Sequence, residues 1–294
     1  MHCTRPPCHS SSRAIAISTY FFFRVEFKMV ILHPSAILRV DSKKDDGMNY
    51  DQTSAVNFLL YSTMMVTLED STEAAIDAAI KRAYRDASSH VLSGYDESKG
   101  HEAIKDGLMN LRDIDSTPNQ GSFDEWHEKT CGAICTKGYK ATSKIAQKGI
   151  TYGIAQKWLN MTLKYLTVFN AIRSMDSKQS VNTDVADAEH DGILEKINGL
   201  KGCLHVPVDR YIINAAWNNT AVKIPLKNST KIEQRNCEYK HPADYCKPWS
   251  QWTFEDYKKF QESLRKALPK QTLFEWEGTA WITTARTENK PKKN

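Results

Sequence analysis

The chain has 294 residues, of which 40% are hydrophobic and 26% charged. That length can bury a sizeable core, and that balance excludes wholesale disorder. Lys and Arg number 40 against 35 Asp and Glu, a formal charge of +5, which permits an anionic partner without requiring one. No apolar run approaches the roughly 18–20 residues of a membrane span.

Residues 1–69 differ in character from the rest. Arg13 precedes an apolar run from Ala14 to Phe23 that has the outline of a signal-peptide core. Arg24, Glu26 and Lys28 interrupt it, and no small-residue cleavage pattern follows. The seven cysteines are odd in number and irregular in spacing, which argues against a secreted disulfide framework. The expectation is a cytoplasmic or nuclear protein whose residues 1–69 form a poorly ordered or loosely attached extension. Asp41–Gly47 reads as a charged linker, and no helix or strand is assigned before residue 70.

From Asp70 onward the pattern is helical. Asp70 is placed to cap a helix with Glu73 three positions on. Ala75, Ile76, Ala79, Ile80, Ala83 and Tyr84 then recur at three-to-four spacing. A shorter helix is predicted over His101–Leu111, followed by a loop at 115–121. Ser122-Phe-Asp-Glu125 has the form of a capping box opening the next helix, which carries Trp126, Cys131 and Ile134. A further helix runs from Ile150 through Ile172. Residues 174–202 are rich in Ser, Asp, Asn and Gly and read as a surface insertion with a short helix near Ile193–Ile197. An extended approach from His205 turns into a helix ending near Trp217. Thr253-Phe-Glu-Asp256 opens another helix with an apolar stripe of Phe254, Tyr257, Phe260, Leu264 and Leu268, which Pro269 ends. Residues 286–294 are a basic tail. No sustained alternation of period two follows residue 70. The predicted fold is all-α: an irregular multi-helix domain over 70–285.

Several chemistries lack their motifs. There is no Gly-rich phosphate loop, no G-x-S-x-G elbow and no H-E-x-x-H, which argues against P-loop hydrolysis, elbow hydrolases and zincin proteolysis. His127, Cys131 and Cys135 fall at i, i+4 and i+8, so they share a helix face. Structural zinc sites space their paired ligands more closely, usually around a turn. Buried thiols also behave as small hydrophobes, and no metal or cofactor is expected. Trp249, Trp252, Trp276 and Trp281 gather near the C-terminus and suit a packing layer, although such rings also stack nucleobases.

The most informative stretch runs from Gly149 to Leu166. Two glycines precede a helix whose first backbone N–H groups are free to face an anion. Gln156, Lys157, Asn160, Lys164 and Thr167 form a narrow polar stripe on an otherwise apolar helix, facing either solvent or a site. The order of a glycine turn, Ala155-Gln-Lys157, an apolar helix, then Val206-Pro-Val-Asp209 before another helix resembles the helix-hairpin-helix DNA glycosylases. The resemblance covers these two short motifs. It implies Lys157 as a nucleophile on the sugar, Asp209 as its electrostatic partner, and DNA-backbone contacts from Gly149, Tyr152, Gly153, Gln156 and Lys164. The chain departs from the family in its imperfect glycine turn and in the 52 residues between Lys157 and Asp209. Two functions are therefore carried forward. One is a DNA-interacting protein of this type, catalytic or degenerate; the other is a non-enzymatic helical protein-interaction module. Convergence of Lys157 and Asp209 in one cleft bounded by basic residues separates them.

Overall fold

A computed structural model describes residues 50–88, 95–114, 119–137, 150–175, 185–227, 242 and 245–288. Contacts divide the chain at Asp45, and all of these residues belong to the unit that follows. Among them the fold is all-α, with nine α-helices, no strand, and a single isolated bridge between Leu226 and Cys246. None of the described helices is long and apolar enough to cross a membrane.

The helices are α1 (Tyr50–Met64), α2 (Thr72–Ala87), α3 (Glu97–Arg112), α4 (Gln120–Lys137), α5 (Tyr152–Arg173), α6 (Val185–Gly199), α7 (Arg210–Trp217), α8 (Phe254–Ala267) and α9 (Leu273–Glu288). Central to the arrangement is α5, which packs most extensively along α2. The predicted periodicity of α2 places Ala75, Ala79 and Ala83 in the core with Ile76 and Ile80 beside them. Small side chains at that seam bring the two helices close. Trp158 then fills the space between α5, α2 and α3. It is fully buried, donates its indole N–H to Ile80 O at 2.9 Å and lies against Tyr84 at 4.7 Å between ring centroids. Gly100 of α3 is small because a Cβ there would lie 2.5 Å from that indole.

Helix starts follow side-chain capping, with shifts from the sequence reading. Ser71, not Asp70, caps α2, its hydroxyl accepting from Ala74 N at 3.2 Å. Asp70 instead closes the preceding turn by accepting from Thr67 N at 2.7 Å. Asn119 rather than Ser122 serves the start of α4, accepting from Gly121 N at 2.8 Å. The predicted capping box of α8 is present, with Thr253 and Asp256 each bonded to the other's backbone.

Three boundaries differ from those expected. Residues 1–49 and 289–294 lie outside the described residues, but 50–69 do not form a loose extension. Helix α1 seats Leu60 and Met64 in the core, and Val66 and Leu68 follow them. Asn57 fastens that corner by accepting from Leu68 N and donating to Glu69. The pattern was obscure because α1 also exposes Phe58, Leu59 and Tyr61, so its apolar residues mark no single face. Secondly, 185–200 are no surface insertion. Ile193, Leu194, Ile197 and Leu200 are buried where α6 packs on α5, α3 and α2, and Asp191 pairs with Arg173 at 3.0 Å. Thirdly, Arg286 belongs to the last turn of α9 rather than to a tail.

A chain starting at residue 70 would lose Leu60, Met64, Val66 and Leu68 from the core. Its melting temperature is expected to fall by several degrees relative to the full chain, as loss of a few kcal/mol of apolar burial dictates. Equal melting temperatures by calorimetry would refute the integration of α1.

Candidate functional site

Lys157 and Asp209 meet. Lys157 lies in the second turn of α5, and Asp209 is the N-cap of α7, its Oδ1 accepting from Tyr211 N and Ile212 N at 2.9 and 3.1 Å. The Lys157 Nζ stands 3.7 Å from Asp209 Oδ2, and the two side chains are 12% and 13% exposed. The same Oδ2 accepts from the Trp281 indole N–H at 3.1 Å. Lys157 Nζ also lies 4.7 Å from the centroid of the Trp249 ring, a cation–π contact strengthened by exclusion of water.

A second ion pair lies two turns along α5. Lys164 Nζ contacts both oxygens of Glu277 at 2.8 and 2.7 Å, and Glu277 is buried on α9. Burial pushes the Glu277 carboxyl up, Lys164 offsets part of that rise, and the negative charge of Asp209 adds to it. The neighbourhood of Lys157 and Asp209 is thus one of indoles and paired charges rather than a ring of basic residues.

The remaining expected contacts take structural places. Gly149 lies outside the described residues. Gly153 donates its N–H to Trp252 O at 3.0 Å; its missing side chain admits the Trp249 carbonyl, which a Cβ would meet at 2.0 Å. The backbone of Trp249–Trp252 thereby occupies the start of α5, where a phosphate was expected. Gln156 is fully buried and bonds Val208 rather than a ligand. Asn160 and Thr167 are buried as well. The polar stripe of α5 therefore turns inward and is no solvated face. Trp249 and Trp252 are core residues, and Trp276 and Trp281 pack against the core.

Tyr152 joins a second polar centre that sequence reasoning assembled only in part. His205 Nε2 meets Asp124 Oδ1 at 2.7 Å and His205 Nδ1 meets the Tyr257 hydroxyl at 2.8 Å. Arg265 holds the other Asp124 oxygen at 3.2 Å. Asn160 donates to the Tyr257 hydroxyl at 2.9 Å, and its Oδ1 meets His127 Nε2 at 3.0 Å. The Tyr152 hydroxyl stands 3.4 Å from His127 Nδ1. These contacts are mutually satisfied when both imidazoles are neutral: His127 donates through Nε2 and accepts at Nδ1, while His205 donates to Asp124 and accepts from Tyr257. Burial drives both imidazole pKa values down, His127 furthest, and a proton on the nearby His205 would lower His127 further.

Cys131 is buried with its thiol pushed up by desolvation, and its Sγ lies 3.7 Å from His127 Nδ1. Among the described residues, no three His, Cys, Asp or Glu side chains converge to hold a metal ion. His127 and Cys131 serve packing and hydrogen bonding here. Glu277 was not foreseen; the only sequence signal is an acidic residue between Trp276 and Trp281, and its burial appears only in the structure. No protein family, no curated protein and no solved structure matches the chain.

Because both histidines have folded-state pKa values below the ordinary 6.5, the unfolded chain takes up protons first as pH falls. Stability is expected to be level in this respect above pH 7. Below about pH 6.5 it should decline by up to about 1.4 kcal/mol per pH unit for each histidine, until the folded rings themselves protonate. Urea midpoints at pH 7.5, 6.5 and 5.5 measure this, and a flat profile would contradict neutral buried imidazoles.

Gly153→Ala tests the packing at the start of α5. In an open helix alanine stabilises relative to glycine by about 1 kcal/mol. Here the clash with the Trp249 carbonyl reverses the sign, and a loss of about 1–3 kcal/mol is expected in denaturant unfolding.

Proposed function

We propose that the protein interacts with DNA as a relative of the helix-hairpin-helix glycosylases, with Lys157 as nucleophile and Asp209 as its electrostatic partner. One observation carries this reading: two residues singled out from short motifs 52 positions apart lie 3.7 Å from each other, with side chains 12% and 13% exposed. A buried ion pair contributes little net stability compared with well-packed apolar residues. The Lys157–Asp209 pair therefore suits a reacting centre better than a packing device. In the reaction the Lys157 ammonium gives one proton to the departing base, and the freed amine bonds to the sugar C1′ as that base leaves with the electrons of the glycosidic bond. A second proton passes from nitrogen to O4′ as the C1′–O4′ bond opens, which leaves a protonated imine. Asp209 counters the positive charge that grows on the sugar as the base leaves. A substrate reaches the amine only if the Trp249 indole moves from its place over Nζ.

A second reading, a non-enzymatic helical protein-interaction module, is favoured by the filled start of α5. Backbone from Trp249 to Trp252 stands where the resemblance puts a DNA phosphate. On that reading the ion pair only joins α5 to α7.

Borohydride trapping with damaged-base duplexes, together with DNA binding across a salt series, separates the two. The expected result is a covalent adduct with the wild-type chain, absent in Lys157→Gln although DNA binding persists. Binding should weaken steeply with salt, as lysine contacts to phosphate require. Neither adduct nor salt-dependent binding would remove the DNA reading and leave the interaction module.

A further inference from the structure

The segment Leu204–Asp209 belongs to no helix or strand, yet Val206 and Val208 are fully buried. Their backbone groups must find partners inside the protein, and side-chain amides supply them. Gln156 accepts from Val208 N and donates to Val208 O, both at 3.2 Å. Gln261 of α8 does the same for Val206, at 3.3 and 2.9 Å. Asn160, one turn beyond Gln156, adds a donor to Val206 O at 3.4 Å. Gln156 is itself held by donating to Gly153 O at 2.8 Å and accepting from Asn160 at 3.2 Å.

Gln156 precedes Lys157 in the chain, and Val208 precedes Asp209. The two-point bond between them therefore joins the positions immediately before the amine and the carboxylate. We propose that Gln156 is a positioning residue of the Lys157–Asp209 site, setting the separation of amine and carboxylate through the backbone of Val208. Its catalytic meaning rests on the function proposed above; its geometric role does not. Asp209 is anchored independently by the cap of α7 and by Trp281. Lys157 is held, among the described residues, by nothing tighter than the 3.7 Å contact and the indole at 4.7 Å. The register between α5 and the extended segment thus decides whether the pair meets. A methionine at 156 would fill the volume and leave both Val208 groups unpaired. A glutamate would keep the acceptor but set a carboxylate against the carbonyls of Gly153 and Val208.

The test uses Gln156→Met and Gln156→Glu in the full chain, so that one misfolded variant does not decide the matter. Acetic anhydride labelling, read site by site by mass spectrometry, compares Lys157 with Lys164, which lies on the same helix but is paired with Glu277. A several-fold rise in the Lys157-to-Lys164 labelling ratio is expected in the folded variants. An unchanged ratio, or an equal rise at both lysines, overturns the proposal because general loosening would produce it. In the wild-type chain the Val208 amide should be protected from hydrogen exchange; exchange at the rate of an open loop amide also overturns the proposal. With a DNA substrate, the rate of borohydride-trapped adduct should fall about tenfold or more while DNA affinity is retained, the signature of lost alignment. Absence of an adduct from the wild type would remove the proposed function, whereas the labelling ratio and amide exchange would still decide the role of Gln156.

Discussion

An extended stretch of backbone buried between helices is the constraint around which this fold is arranged. In an all-helical protein such a stretch has no neighbouring strand to satisfy its N–H and C=O groups, and each one left unpaired costs about 1–3 kcal/mol. Residues Val206 and Val208 meet that requirement with the amides of Gln156, Asn160 and Gln261, which behave as replacement strand edges. Gln156 and Asn160 sit one turn apart, so the need to face Val206 and Val208 fixes the rotation of α5. With that rotation set, Trp158 points into α2 and α3, while Lys157 and Lys164 point toward α7 and α9.

Asn160 links the two polar centres. Its amide group donates toward Val206 O and the Tyr257 hydroxyl, and its oxygen meets His127. The histidine centre is thereby continuous with the segment that carries Asp209. Charge is distributed differently in the two. Around His127, His205 and Tyr257, burial favours neutral groups, and Asp124 at the partly exposed end supplies the anion. Around Lys157 and Lys164 each amine faces one carboxylate, Asp209 and Glu277 respectively. Interiors tolerate the second arrangement only with close pairing and added hydrogen bonds. The cap of α7 and the Trp281 indole provide those bonds for Asp209.

Local pattern made most of the helical body legible. Three-to-four spacing identified α2, α5 and α8, and the Thr253–Asp256 box marked a true helix start. These features depend on neighbours within one or two turns, where sequence distance and spatial distance coincide. Helices α1 and α6 were obscured because their buried residues are few, flanked by polar or outward-facing apolar ones, and acquire meaning only against α2 and α5. The site was half legible. Lys157 and Asp209 were named from two motifs, but Gln156, taken for a DNA contact, became an internal clamp. Glu277 belonged to no motif, and Trp249 was named only within the C-terminal group of tryptophans.

By itself the sequence determined the all-helical class, the central apolar helix, its narrow polar stripe, and the lysine and aspartate worth pairing. Periodicity and capping are encoded over a few residues, and those determinants need no distant partner. Tertiary structure alone decided that the stripe is buried, that Lys157 stands beside Asp209, and that Trp249–Trp252 fill the start of α5. These outcomes depend on which surfaces meet across 46 to 99 residues of chain, where burial and the satisfaction of backbone polar groups, rather than local preference, select the arrangement.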